Sequence, residues 1–147
     1  MKRILGLILA LAIAGVLAVG SQARNTHNPP RHGALHVTKE CGDYQGQAGQ
    51  FCTIQTSNIP EIPAYSRVFY FENVVNGTLD SDLALYAGPG NVALGHVVLS
   101  LTDASGEITF AGGSGVFRGF HARAHVSFDG SLWHWDGTYR FRGSRHH

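Results

Sequence analysis

The stretch FHARAHVSFDGSLWHWDGTYRF, residues 120–141, decides the fold. At its centre Asp129-Gly130 is the pair that a tight type I′ hairpin turn favours, because both central residues of that turn need positive φ. A two-residue turn sets Val126 opposite Trp133, Ala124 opposite Trp135, Ala122 opposite Gly137 and Phe120 opposite Tyr139, so that small faces large along one apolar surface. Side chains alternate along a strand, which leaves His125 opposite His134, Arg123 opposite Asp136 and His121 opposite Thr138 on the other side. The segment reads as an amphipathic β-hairpin with one aromatic and one polar face.

Working outward from the hairpin, the chain continues as short β-branched and aromatic runs separated by Gly, Pro, Asn and Asp, and no helix signal interrupts them. Further strands are expected at 34–40, 50–56, 66–73, 80–87, 92–101 and 106–111, with the hairpin arms at 117–128 and 131–142. Turns fall at NIPEIPAY, VNGT, GPGN, TDASG and GGSG, built from residues that tolerate tight or positive-φ backbone. An all-β fold follows. Eight strands suit a small closed antiparallel barrel, filled by side chains or holding one small ligand, with a β-sandwich as the alternative.

The chain opens MKRILGLILALAIAGVLAVGSQA: Lys2 and Arg3, an uncharged apolar run, then small residues up to Ala23. This is the pattern of a secretory signal peptide over 1–23, and the run is short for a retained membrane anchor. Residues 24–32, RNTHNPPRH, read as a flexible lead-in, and 33–147 as one domain. Without Lys2 and Arg3 the chain has 9 basic against 10 acidic side chains, which argues against nucleic-acid binding by bulk charge. Export gives a secreted or envelope location without a membrane span after cleavage. In that setting Cys41 and Cys52, the only cysteines, are expected to form a disulfide.

Several residues are candidates for chemistry. Phe120, Trp133, Trp135 and Tyr139 share the apolar hairpin face and would line a ligand pocket if the barrel is not fully packed. Tyr70, Glu72 and His96 are candidate polar groups to orient a ligand or move a proton. In VFYFEN, Val68, Tyr70 and Glu72 share one side and Phe69 and Phe71 the other; the phenylalanines are expected inward, which exposes Glu72. His96 lies on the side of Val92, Leu94 and Val98 and is expected to be a hydrogen-bonded core residue. The polar hairpin face, with His121, Arg123, His125, His134 and Asp136, reads as a solvated surface. His125 and His134 could share a metal, but Arg123 beside them would occupy the Asp136 carboxylate and repel a cation, so no metal site is assigned. Asn76-Gly77-Thr78 fits the N-glycosylation pattern. Nothing in the sequence calls for a cofactor.

The segment ITFAGGSGVFRGFHARAHV, with Gly112, Gly113, Ser114, Gly115, Phe117 and Gly119, resembles the G-G-T-G-x-F-x-G element of the allene oxide cyclase and dirigent barrels. ECGDYQGQAGQFCTIQTSNIPEIP, VFYF, GPGN and WHWDGTYRF look like small secreted bacterial proteins of the same barrel type. The resemblance implies an eight-stranded barrel, a habit of holding small apolar molecules and steering their cyclisation or isomerisation, and a tendency to form homo-oligomers. The superfamily's catalytic residues do not map onto positions here. Two functions follow as expectations: a secreted barrel that binds a small apolar molecule, with any enzymatic step undecided, or a non-catalytic envelope or surface protein with a solid core.

Overall fold

The computed structural model describes residues 31–143. The expected signal peptide, most of the lead-in and the terminal His146 and His147 lie outside the described residues. Eight strands follow one another: β1 (His32–Glu40), β2 (Phe51–Ser57), β3 (Arg67–Tyr70), β4 (Thr78–Tyr86), β5 (Val92–Ser100), β6 (Ser105–Gly113), β7 (Phe120–Phe128) and β8 (Trp133–Phe141). Each pairs antiparallel with its sequence neighbours, and β1 pairs with β8, so the sheet closes into a barrel. Closure decides between the two expected all-β architectures and leaves no open sheet edge. One helical element exists among the described residues, a single 3-10 turn at Gly115–Phe117 that follows the expected GGSG turn and takes in Phe117, where a strand had been expected to begin.

Alternation sends one side chain in two to the lumen. Leu35 and Val37, Cys52 and Ile54, Val68 and Tyr70, and Leu79, Leu83 and Leu85 are buried there. The later strands add Val97, Leu99, Ile108, Phe110, Phe120, Val126 and Trp135. The rings interlock: Phe110 lies 5.6 Å from both Phe120 and Trp135, and Phe120 lies 5.1 Å from Phe141, in tilted arrangements that aromatic quadrupoles favour. Ile59, Ile62 and Phe117 are buried where the 58–66 loop and the 3-10 turn join the core.

The glycine element serves this closure. A Cβ on Gly113 would lie 2.1 Å from the Val92 carbonyl oxygen, and one on Gly115 2.1 Å from Asn91 Oδ1. The chain can therefore bring Phe117 into the core only with bare backbone at these points. Asn91 Oδ1 accepts a hydrogen bond from the Val116 N–H, and the Ser114 hydroxyl donates to the Gly90 carbonyl, which tie the turn to the β4–β5 connection.

Two expectations about register and facing are corrected. The β7–β8 connection is not a two-residue turn. Phe128 pairs with Trp133, Val126 with Trp135, Ala124 with Gly137 and Ala122 with Tyr139. The cause is the Asp129 carboxylate: its Oδ1 accepts from the Ser131 and Leu132 N–H groups at 2.8 Å each, which opens the turn to residues 129–132 and leaves only Gly130 at positive φ. The shift is even, so each side chain keeps its face.

The second correction concerns β3, where Val68 and Tyr70 point inward while Phe69 is half-buried and Phe71 exposed. Cys52 pairs with Val68, and directly opposed residues share a face, so the inward Cys52 fixes Val68 inward. Phe69 instead packs outside against Phe51, over which the Arg67 guanidinium lies at 4.6 Å. β3 ends at Tyr70 because the Ser81 hydroxyl accepts from the Phe71 and Glu72 N–H groups and the chain turns away, leaving Glu72 exposed.

Candidate functional site

Lys39, near the end of β1, follows Leu35 and Val37 into the lumen by strict alternation, and only 3% of it is exposed. Its amine is hydrogen-bonded to the Tyr70 hydroxyl and lies 3.7 Å from Cys41 Sγ. Nζ also lies 5.1, 5.9 and 5.6 Å from the ring centres of Tyr70, Trp133 and Trp135. Rings at these distances stabilise a cation through their quadrupoles, but weakly compared with lost hydration. Among the described residues no carboxylate lies within ion-pair distance of it. Burial therefore pulls the Lys39 ammonium down to about 7. The same desolvation pushes the Tyr70 and Tyr44 phenols up, so both stay protonated near neutrality.

A cavity of about 30 Å³ adjoins this cluster, lined by Lys39, Tyr44, Tyr70, Trp133 and the disulfide, with Leu79, Leu99 and Leu101 completing the wall. The Tyr44 hydroxyl is buried there without a hydrogen-bond partner among the described residues, and its ring stacks at 5.0 Å on Tyr70. The Cys41–Cys52 bridge forms as expected, with Cα atoms 4.4 Å apart, and holds the 41–52 loop against the cavity. A disulfide is compatible with an extracellular location, and among the described residues no helix is long and apolar enough to cross a membrane.

The residues singled out from the sequence divide into three places. Tyr70, Trp133 and Trp135 meet at Lys39. Phe120 and Tyr139 lie in the packed lumen nearer Phe141, with Tyr139 6.0 Å from that ring. His96 is on the outer surface, not in the core: it bridges Asp80 and Asp82 at 2.7 and 2.8 Å, in a groove of about 460 Å³ with Phe71 and Leu94. Its imidazolium is stabilised by the bond to Asp82 and then that to Asp80, which raise its pKa above the usual histidine value.

The polar hairpin face is solvated, with other partners than expected. His125 faces Asp136, and His134 faces Ser127. Asp136 instead binds His36 at 2.8 Å, Arg123 pairs with Glu107, and His134 binds Asp129 at 2.6 Å. His121 faces Arg140, and its pKa is lowered by partial desolvation and then by Arg142 and Arg140. The His125–His134 pairing that a shared metal required is absent, and among the described residues no cluster of three or more His, Cys, Asp or Glu side chains could hold a metal ion.

Sequence reasoning overlooked Lys39. The signal was available: the chain has two lysines, Lys2 and Lys39, while its other nine cationic side chains are arginines. Lys39 is also in phase with Leu35 and Val37. Among the cationic side chains at neutral pH, lysine is the one that sheds its proton on burial; arginine does not. No family model matches the chain, and no curated protein or solved structure is significantly similar to it.

Proposed function

We propose that this chain is a secreted barrel that binds a small, weakly polar molecule at the Lys39 end of its lumen, where Trp133, Tyr44 and Tyr70 form aromatic walls. The observation that carries this reading is a buried amine with no carboxylate in reach and, beside it, a cavity and a Tyr44 hydroxyl with no hydrogen-bond partner, both absences being among the described residues. Buried polar groups left without partners are costly, and a ligand oxygen would satisfy them. The leader pattern supports export, and the resemblance to the cyclase and dirigent barrels supports a habit of holding small molecules. An isomerisation would use Lys39 as base and Tyr70 as proton carrier, while shape and exclusion of water supply the rest. Titration of the protein, with ¹³C-labelled lysine, by acetamide and propanol tests this. Expected is a saturable shift of the Lys39 signal together with a Trp133 indole shift; no shift with either compound overturns the reading.

A second reading rests on the outer surface. Phe71, Tyr86, Leu94 and Val98 are exposed on or beside neighbouring strands β3–β5. A non-catalytic surface protein would use such a face for a partner or for a homo-oligomer. Light scattering of the protein and of Leu94→Glu decides it: assembly lost in the variant favours this reading, and a monomer in both rejects the homo-oligomer.

A further inference from the structure

We infer that Lys39 is a carbonyl-condensing site: its amine reacts reversibly with a short aldehyde, such as formaldehyde or acetaldehyde, to give an imine and water. The inference rests on the small-molecule reading of the cavity and names the class of molecule it takes.

Size comes first. A cavity of about 30 Å³ admits a molecule of very few heavy atoms, which favours the shortest aldehydes over larger carbonyl compounds. Nucleophilicity comes second. An exposed lysine with an ordinary pKa is almost wholly protonated at pH 7, whereas the buried Lys39 amine, near 7, is roughly half neutral, about a thousandfold more free base. Proton handling comes third. The neutral nitrogen attacks the carbonyl carbon, the carbonyl π pair moves to oxygen, and that oxygen takes up a proton while nitrogen loses one. The carbinolamine then expels its hydroxyl with a proton as water, and the C=N bond forms, with no oxidant or reductant consumed. The Tyr70 hydroxyl, bonded to Nζ, is placed to accept the proton from nitrogen as it donates its own toward oxygen. Because burial keeps this phenol protonated, it relays without ionising. The Tyr44 hydroxyl, buried and without a partner among the described residues, is the second donor for the carbonyl oxygen. Low solvent access favours the imine, since its hydrolysis needs water.

The experiment uses the intact, oxidised protein with acetaldehyde and cyanoborohydride at pH 7, followed by peptide mapping. Reduction traps each imine as an ethylamine. Expected is ethylation of Lys39 at least about tenfold faster than on the denatured chain, its loss in Lys39→Met, and slowing by at least about tenfold in Tyr70→Phe with the circular dichroism spectrum retained. Acetamide, similar in shape but unable to condense, separates the outcomes. A Lys39 shift with acetamide but no ethylation of Lys39 overturns condensation and leaves the binding pocket standing. Neither shift nor ethylation overturns both. Equal rates for wild type and Tyr70→Phe overturn the relay.

Discussion

The Lys39 amine and the Tyr70 hydroxyl are hydrogen-bonded to each other inside the barrel, with the Trp133 and Trp135 rings beside the nitrogen and no carboxylate in reach among the described residues. The pair is a polar island in an apolar lumen. A polar contact there costs stability unless every group is satisfied, and the Tyr44 hydroxyl beside it has no partner among the described residues.

Stability should rise with pH because of Lys39. Its folded pKa of about 7 lies below the ordinary lysine value of 10.5, so between those values the unfolded chain binds more protons than the native one. The stabilisation is absent below pH 7 and grows as pH rises through the window, by at most about 1.4 kcal/mol per pH unit. Raised Tyr44 and Tyr70 pKa values act in the opposite sense only above about pH 10. Urea unfolding between pH 7 and 9 should show the rise in the wild type and a much flatter profile in Lys39→Met. Equal slopes would mean the amine is not desolvated.

A buried and an exposed aromatic side chain should respond very unequally to truncation. Trp135 is 1% exposed and touches Phe110 at 5.6 Å, so Trp135→Ala should cost about 3–5 kcal/mol by opening a cavity. Phe71 is 48% exposed, and Phe71→Ala should cost about 1 kcal/mol or less. Thermal unfolding of both variants checks the inward facing of β8 and the outward facing of Phe71.

What was legible from the sequence follows the period of two. The Phe120–Phe128 and Trp133–Phe141 faces are correct despite a wrong register, because the Asp129 carboxylate lengthened the turn by an even number of residues. Parity survives such a change, while pair identity does not. β3 failed for a different reason: a rule that buries the most apolar ring chose Phe69 and Phe71, but Tyr70 is the partner of a lysine on β1, and that pairing is non-local. For His96 the grouping with Leu94 and Val98 was right and the face was wrong, since alternation defines two faces without marking which one is inside.

His96 should titrate above the usual histidine range. Both ring nitrogens meet carboxylates, Asp82 at 2.8 Å and Asp80 at 2.7 Å, and two acceptors require two N–H donors, hence the imidazolium. Its contribution to stability is present at low pH and is lost as pH rises through the folded pKa. Imidazole signals followed by NMR should give a midpoint above 6.5. Asp82→Asn should lower that midpoint more than Asp80→Asn, because the Asp82 bond is the larger influence. A midpoint at or below 6.5 in the wild type would contradict the bridge.

The disulfide couples the cavity to the fold. Cys41–Cys52 closes a loop with a sequence separation of 11, and the paired Cys41→Ser and Cys52→Ser substitutions should cost about 3 kcal/mol in the chain-entropy account. A second effect is specific to this site. Cys41 Sγ lies 3.7 Å from Nζ and, with Tyr44 of the same loop, walls off the amine, so a loosened loop admits water to Lys39. Hydration restores the ammonium and should raise the Lys39 pKa from about 7 toward 10.5. The NMR titration of ¹³C-labelled lysine in the serine variant measures this directly. A pKa that stays near 7 while stability falls would show that the barrel strands alone keep water from the amine.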